Sequence, residues 1–511
     1  MTFHSILFER PEDSIKDETV QEPDFFVDVN LDQIIDAITA GKQEYNLKPF
    51  FHTSLKTVEA VKYRHEIMAD LQDRTLFEHI TLFARKMREM RDYLTQEGKL
   101  YHKYQKAKWF LDAVELYCDT VNSLMNNLSL VDIKSHGLLA FREYLRLYAG
   151  SERFTTLLQE TKKVKTDLST VKYCVLIKSY GMKVRKYESE NDYSADVEET
   201  FAKFKQGAVR DYRVKSSSRP DMNHIEEKVL DFVAKLYPEI FANVDDYCAN
   251  NRNYLDITIA VFDREIQFYI AYLEHAEMFK RRGLSFCYPK ISKQCKEVHD
   301  YEGFDLALAY KMIRENATIV CNDFYLKDDE RIFVVSGPNQ GGKTTFARTF
   351  GQLHYLGSIG CPVPGREAQL FLFDGLFTHF EREENINNLR GKLQDDLARI
   401  HDILSQATPS SIIIMNEMFT STTLQDAIFL SGKVMEKIIG LDVLCVWVSF
   451  IDELASFGEE TVSMVSTIVP ENPTVRTYKV VRRRADGLAY AMSIAEKHRV
   501  TYKYLKERIK A

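Results

Sequence analysis

The chain has 511 residues, of which 45% are hydrophobic and 28% are charged, and its formal net charge is −7. This length exceeds what one hydrophobic core accommodates, so about two to four domains are expected, and the composition excludes a disordered or fibrous protein. The sequence has no signal-peptide pattern and no apolar run long enough to span a bilayer, which predicts no membrane association. Its 8 cysteines contain no CxxC pair, which predicts reduced thiols in a cytoplasmic protein and no zinc site.

An acidic leader is predicted over residues 1–44, followed by a long helical domain over 45–310. Only 6 of the 21 glycines lie in the first 280 residues, and no proline occurs between Pro49 and Pro220. Such a stretch can form long, uninterrupted helices. Apolar residues between 255 and 273 recur at alternating steps of four and three, which is typical of a packed helical seam.

A small β-containing insertion is predicted at about residues 165–220. Two β-rich runs within 172–187 flank Ser179-Tyr180-Gly181, which indicates a hairpin, and a third extended run follows at 208–214. Residues 161–219 carry 14 Lys or Arg against 8 Asp or Glu. A local basic surface can bind phosphate backbones, although a solvated charged face explains the charge equally well. The best candidates for contacting nucleic acid are Lys178, Lys183, Arg185, Lys186, Arg210 and Arg213.

The sequence then changes to short apolar strands, glycine loops and intervening helices, which predicts an α/β domain over residues 311–511. The fold class is therefore α plus α/β. Buried parallel strands are predicted at 331–336, 411–415 and 443–448, a closing antiparallel pair at 461–469 and 474–483, and a terminal helix at 501–510.

One segment of this domain matches the phosphate-binding pattern GxxxxGK[ST] without exception. It follows an apolar strand and leads into a plausible helix, which is the context that the pattern requires. Glycines let backbone N–H groups turn toward the phosphates of ATP, and the helix N-terminus adds positive potential. Lys343 would supply a cation to the β- and γ-phosphates, and the Thr344 hydroxyl would join a Mg²⁺ shell. The segment consists of Gly337, Pro338, Asn339, Gln340, Gly341, Gly342, Lys343 and Thr344, and Thr345 follows it.

A second predicted strand ends in Asn416 and Glu417. Glu417 is placed to orient or activate water, so Glu417 and Lys343 are the catalytic candidates. Thr344, Asn416 and Glu417 are the candidates for holding Mg²⁺. Asn416 stands where an aspartate is usual, and because its amide contributes no charge we expect weaker Mg²⁺ binding or slower turnover.

These two motifs resemble those of the MutS family of DNA mismatch-repair ATPases. The loop SGPNQGGKTTFART is similar to the family's TGPNMGGKSTYMRQ, and NEMFTSTTLQD at 416–426 takes the place of DEIGRGTSTYD without a gap. The likeness is strong over about 317–511. It is weaker but collinear over 45–310, where the family has its core, clamp and lever regions.

The resemblance implies an ABC-type P-loop ATPase domain that follows a helical core and lever domain with a clamp-like insertion. It also implies ATP and Mg²⁺ as cofactors, a homodimer with composite ATP sites, and DNA recognised by its structure rather than its sequence. In the family, the loop matched by 416–426 reaches the nucleotide of the partner subunit. Thr422, Thr423 and Asp426 are the matching polar positions, and Asn322 resembles a nucleotide-flanking residue.

The sequence departs from the family's pattern at several positions. Asn416 replaces an aspartate, Phe450 replaces a switch histidine, and Ile319 takes the position of the aromatic residue that stacks on adenine. The region before residue 45 is too short for the family's mismatch-recognition and connector domains, so these are expected to be absent. The leading hypothesis is a DNA-repair or recombination-associated ATPase that clamps DNA. The alternatives are a ribosome-associated quality-control ATPase of the MutS type and a nucleotide-gated scaffold with little hydrolysis.

Overall fold

The computed structural model describes residues 3–13, 21–178, 181–190, 222–381, 391–469, 472–485 and 499–509. Within these ranges the chain combines helices with mixed sheets, in agreement with the predicted α plus α/β class. Among the described residues, none of the helices combines the length and the apolar character needed to cross a bilayer.

The helices lie mainly, but not only, in the first part of the chain. In chain order they are α1 (Phe25–Asp28), α2 (Leu31–Thr39), α3 (Lys48–His52), α4 (Val58–Asp70), α5 (Arg74–Lys99), α6 (Lys103–Ser129), α7 (His136–Ala149), α8 (Glu152–Ser169), α9 (His224–Leu236), α10 (Pro238–Asn250), α11 (Ile257–Lys280), α12 (Leu306–Arg314), α13 (Lys343–Ser358), α14 (Lys392–Gln406), α15 (Leu424–Leu441) and α16 (Tyr502–Ile509).

The strands concentrate in the second half of the described chain, apart from one early pair. In chain order they are β1 (Tyr173–Lys178), β2 (Gly181–Lys186), β3 (Phe286–Cys287), β4 (Lys290–Ser292), β5 (Val298–Gly303), β6 (Asn322–Leu326), β7 (Ile332–Ser336), β8 (Val363–Pro364), β9 (Glu367–Phe371), β10 (Leu376–His379), β11 (Ile412–Asn416), β12 (Leu444–Val448), β13 (Thr461–Val469) and β14 (Asn472–Arg482).

The chain divides into two compact units. The first comprises Met1–Phe3, Gln72–Ile133 and Leu138–Asp263, and the second comprises His4–Leu71, Lys134–Gly137 and Arg264–Ala511. The predicted domain boundaries at residues 44 and 310 do not coincide with this division and stay predictions. Helices α1 and α2, which lie within the predicted leader, belong to the second unit.

Long helices form the core of the first unit. α5 begins after Asp73, whose carboxylate accepts the N–H of Leu76 at 2.8 Å and caps the first turn. Ile80, Phe83 and Met87 follow at steps of three and four and are buried, so they form the apolar face of α5. α5 and α6 have 26 and 27 residues and pack against each other. The proline-free sequence permits helices of this length.

The predicted hairpin is confirmed in its two strands. β1 and β2 pair antiparallel, with Val175 opposite Val184 and Lys178 opposite Gly181. Lys183 and Lys186 are exposed on β2, and the Lys186 ammonium lies 4.9 Å from the centre of the Tyr237 ring. The extended run predicted at 208–214, with Arg210 and Arg213, lies outside the described residues.

A six-stranded sheet forms the centre of the second unit, in the order β10-β11-β12-β7-β13-β14. The first five strands are parallel, and β14 pairs antiparallel with β13. The predicted buried strands and closing pair are thereby confirmed, and the predicted terminal helix corresponds to α16.

Helices cover both faces of this sheet. Gly351 of α13 lies so close to β11 that an added Cβ would be 2.7 Å from Ile414 Cδ1. On the other face, Ile413 and Met415 share a hydrophobic core with buried residues of α14 and α15. Burial on both faces explains why β7 and β12 are apolar at nearly every position.

Two buried histidines make the stability of the second unit depend on pH. Burial lowers the pKa of His275 and of His354 to about 4. Because these pKa values are depressed in the folded state, the stabilisation is present above the unfolded value of about 6.5 and is lost as pH falls toward 4. We predict that each histidine lowers the free energy of unfolding by about 2 kcal/mol when the pH falls from 7 to 5.

Urea unfolding at a series of pH values measures this loss. His354→Gln should flatten the decline between pH 7 and pH 5, whereas His401→Gln should not, because His401 is exposed. An equal slope in the two variants would contradict the assignment.

Candidate functional site

At two positions, the loop between β7 and α13 has a backbone conformation that only glycine adopts easily. Gly337 has φ +116° and Gly342 has φ +94°. A Cβ at Gly337 would lie 2.5 Å from Ser466 Oγ and 2.9 Å from Ser466 O, so the neighbouring strand β13 excludes any side chain there. The loop therefore presents bare backbone at the start of a 16-residue helix, as an anion-binding turn requires.

The ammonium of Lys343 lies inside this loop and is surrounded by oxygen atoms. Its Nζ is 3.1 Å from Gly337 O, 3.4 Å from Pro338 O and 3.3 Å from Asn339 Oδ1. The residue is only 5% exposed. Burial lowers the pKa of Lys343, and the Glu417 carboxylate, 3.6 Å away, opposes that shift. The protein thus holds a buried positive charge among oxygen atoms of the loop and of Glu417.

The two predicted motifs meet at the end of β11. The Thr344 hydroxyl donates a hydrogen bond to Asn416 Oδ1 at 2.9 Å. Glu417 follows Asn416 with a left-handed φ of +52°, and its N–H donates to Val448 O at 2.9 Å. A non-glycine residue in this conformation is strained, and it directs the Glu417 carboxylate toward Lys343.

The oxygen donors at this junction fit magnesium rather than a softer metal. Thr344 offers a hydroxyl, Asn416 an amide oxygen and Glu417 a carboxylate, and Mg²⁺ prefers such oxygen ligands. Across the described residues, no group of three or more His, Cys, Asp or Glu could hold a metal ion. A Mg²⁺ ion here would therefore need phosphate oxygens and water to complete its shell.

A cavity of about 310 Å³ lies beside the loop. Its volume falls at the lower end of the range for small-ligand sites. The structure brings four of the predicted residues together here, namely Ile319, Asn322, Gly342 and Thr345. The full lining is Asp305, Leu308, Ala309, Met312, Thr318, Ile319, Val320, Asn322, Gly342, Thr345 and Tyr478.

Tyr478 is one of the lining residues that the sequence did not predict. It lies on β14, has a left-handed φ of +59° and is 53% exposed. Its carbonyl accepts a hydrogen bond from Asn322 Nδ2 at 3.2 Å, and Asn322 Oδ1 accepts the N–H of Val480 at 2.8 Å. The Asn322 amide thus fixes β14 beside the cavity. A single tyrosine in a predicted strand gave no local signal for this role.

Thr422, Thr423 and Asp426 form a separate group at the start of α15. Thr423 Oγ1 accepts the Asp426 N–H at 3.2 Å, and both threonine hydroxyls donate to Asp426 Oδ2. Thr423 is the N-cap of α15, so local helix capping accounts for these bonds. Leu424, Phe429 and Phe450 are exposed large apolar side chains of the same unit.

Residues 333–507 match the family model for MutS domain V. This segment contains the loop, the β11 junction and Tyr478. The C-terminal part of the chain belongs to the MutS family. The predicted family is thereby confirmed for these residues, while the family model does not reach the residues before 333.

Individual MutS proteins match over similar lengths. DNA mismatch repair protein MutS 1 of Haloarcula marismortui is 29% identical over 197 residues, which are 37% of this chain and 21% of that protein. MutS of Fervidobacterium nodosum is 29% identical over 34% of this chain and 22% of its own length. Msh3 of Mus musculus is 30% identical over 25% of this chain and 12% of its own length. The match thus spans about a fifth of the first two relatives and about an eighth of Msh3.

Proposed function

We propose that this chain is a cytoplasmic MutS-type ATPase that binds ATP and Mg²⁺ at residues 337–345 and uses ATP to control a clamp on DNA. The observation that carries the proposal is the meeting of the two motifs. Lys343 Nζ lies 3.6 Å from the Glu417 carboxylate, and the Thr344 hydroxyl bonds Asn416, although the two motifs are far apart in sequence. This arrangement supports phosphate binding next to a residue that can orient water.

Each part of the site would contact a different part of ATP. The N–H groups of Gly337–Gly342 and the Lys343 ammonium would bind the β- and γ-phosphates. Magnesium would supply charge neutralisation to these phosphates, with Thr344, Asn416 and Glu417 as the protein's contacts. The cavity beside Gly342 would receive the base, between the apolar Ile319 and the Tyr478 ring.

A homodimer would complete the site. Within the described chain, Thr422, Thr423 and Asp426 bond one another rather than the loop 337–344. The exposure of Thr423 and Asp426, together with the exposed Leu424 and Phe429 on the same helix, supports contact with the nucleotide of a second copy. Nucleotide state in one subunit would then be sensed by its partner.

DNA binding would use the helical region and the β1–β2 hairpin. Lys183 and Lys186 are exposed on β2, and Lys172 precedes β1, so the hairpin carries several positive charges. Such charges support contact with phosphates irrespective of base sequence. The domain plan of a leader, a helical core and lever with a clamp-like insertion, and an ATPase domain is part of this proposal.

A nucleotide-gated scaffold with little hydrolysis is the second candidate. Asn416 provides no charge at the metal-proximal position, and its amide oxygen is already bonded to Thr344. Phe450, in the position of a switch histidine, has no titratable group and is 50% exposed. Both features favour binding over turnover.

We predict that Lys343→Ala weakens binding of a non-hydrolysable ATP analogue by about 10- to 100-fold, because the phosphates lose a charge-assisted hydrogen bond. Isothermal titration calorimetry with Mg²⁺ present measures this affinity. Lys433→Ala is the matched control, since Lys433 is an exposed lysine of the same unit that pairs with Glu436. Unchanged affinity in a folded Lys343→Ala variant would refute the phosphate-binding assignment.

Asn416→Asp should increase ATP turnover about tenfold at limiting Mg²⁺, because it adds one charged metal contact. Steady-state phosphate release over a Mg²⁺ titration measures the change, and the exposed Asn253→Asp should have no effect. Fast turnover in the native protein, abolished by Glu417→Gln, would instead eliminate the scaffold candidate.

The double variant Lys183→Gln/Lys186→Gln should weaken DNA binding and reduce the slope of log affinity against log salt by about 2, since each lost phosphate contact removes about one counterion. Fluorescence anisotropy with duplex and branched DNA at several salt concentrations measures this slope. Lys56→Gln/Lys62→Gln removes the same charge from exposed positions elsewhere. An unchanged slope, together with co-sedimentation on ribosomes, would favour the ribosome-associated alternative.

A further inference from the structure

The segment Ser5–Phe8 is buried in the second unit without belonging to a helix or a strand. Ser5 is 4% exposed, Ile6 is fully buried, Leu7 is 1% exposed and Phe8 is 4% exposed. A buried irregular segment leaves backbone N–H and C=O groups that need partners. In this segment most of those partners are side chains distant in sequence.

Side chains of two helices donate hydrogen bonds to the carbonyl groups of this segment. The Tyr63 hydroxyl on α4 donates to Ser5 O at 2.7 Å, and the Tyr269 hydroxyl on α11 donates to Ile6 O at 2.5 Å. Arg64 Nε donates to Leu7 O at 3.0 Å. Three successive carbonyls are therefore bonded by three side chains that are themselves buried.

The N–H groups are satisfied by one buried carboxylate and one hydroxyl. Glu265 accepts the Ser5 hydroxyl at 2.7 Å and the Ile6 N–H at 2.9 Å. Ser5 Oγ in turn accepts the N–H groups of Leu7 and Phe8 at 2.9 and 3.0 Å. The serine is thus required at its position, because no other part of the segment could bond both Glu265 and its own backbone.

One residue joins this site to the helix of the phosphate-binding loop. Arg64 Nη1 donates to Ile359 O at 2.7 Å, immediately after α13 ends at Ser358. Gly360 has φ +78°, and a Cβ there would lie 2.7 Å from the Arg64 Cβ, so the contact is close-packed. The guanidinium therefore bridges Leu7 and the C-terminal end of α13, whose first residue is Lys343.

We propose that Ser5–Phe8 is a tethered ligand in a peptide-binding site formed by Tyr63, Arg64, Glu265 and Tyr269. The site takes a peptide that forms the same serine-bonded turn, with serine, an aliphatic residue, leucine and an aromatic residue in succession. Because the receptor side chains bind backbone groups and one hydroxyl, a peptide of this kind supplied in trans exchanges with the tethered segment. Its presence is transmitted to α13 through Arg64, and this second part rests on the proposed binding of ATP.

The test cuts the full-length chain between Ser5–Phe8 and the remainder of the protein, which is called the body below. A specific protease site replaces residues 14–20, and the purified protein is cleaved without nucleotide. We expect the short fragment to co-elute with the body in gel filtration and to be displaced by a labelled peptide of residues 2–10. A fragment that leaves on cleavage, with no binding of the labelled peptide to the body, would overturn the proposal.

Single hydroxyl deletions test the assigned contacts. Tyr63→Phe and Tyr269→Phe should each weaken peptide binding by about 3- to 10-fold, because each removes one hydrogen bond. Tyr272→Phe is the matched control, since Tyr272 is a buried tyrosine of the same helix whose hydroxyl bonds Pro362 O. A labelled peptide with Ser5→Ala should bind more weakly than either variant binds the native peptide. Equal affinity of all three tyrosine variants would refute the site.

Nucleotide affinity tests the coupling. The cleaved body is titrated with an ATP analogue before and after removal of the fragment, and the affinity should change at least about threefold and be restored by added peptide. Equal affinity in the two states would overturn the coupling through Arg64. Lack of ATP binding in both states would be a failure of the proposed function, and it would leave the peptide measurements, made without nucleotide, unaffected.

Discussion

The buried ammonium of Lys343 is the interaction on which the rest of the site depends. A lysine that is 5% exposed needs oxygen atoms in place of water, and here backbone carbonyls of the loop and the Glu417 carboxylate provide them. Glu417 reaches the lysine because β11 and β7 lie in one parallel sheet with only β12 between them. The order of the strands, rather than any single motif, therefore brings the charges together.

Close packing by glycine is the second constraint. Gly337 and Gly341 lie against Ser466 of β13, where an added Cβ would be 2.5 and 2.6 Å from the serine hydroxyl. β13 in turn pairs with β14, which carries Tyr478 beside Gly342. The antiparallel closing pair thus has two effects. Strand β13 packs closely against the loop 337–344, and strand β14 supplies an aromatic side chain to the neighbouring cavity.

One departure from the MutS pattern lies where the two motifs meet. Asn416 keeps the hydrogen-bonding geometry of the junction through Thr344 but removes a negative charge from it. The loop after Asn416 has left-handed φ values at Glu417 and Phe419. Because Asn416 bonds Thr344 without supplying a charge, binding and hydrolysis are separable questions for this protein. At the opposite end of α13, Arg64 and Ile359 connect the same helix to Ser5–Phe8.

Local sequence patterns determined the glycine-containing loop at 337–344, the buried strands, the closing pair and the two strands of the hairpin. Each depends on a short-range rule: glycine where side chains cannot fit, continuous apolar runs where both faces are buried, and alternation around a turn. The sequence also indicated that Lys343, Thr344, Asn416 and Glu417 act together, because of their family-like motifs.

Tertiary structure decided what no local rule contains. The position of Tyr478 beside the cavity depends on how β14 pairs with β13, and the burial of Ser5–Phe8 depends on side chains more than 250 residues away, such as Glu265 and Tyr269. Contacts of this kind arise only when distant segments share one core, so their physical basis is the packing of the whole unit.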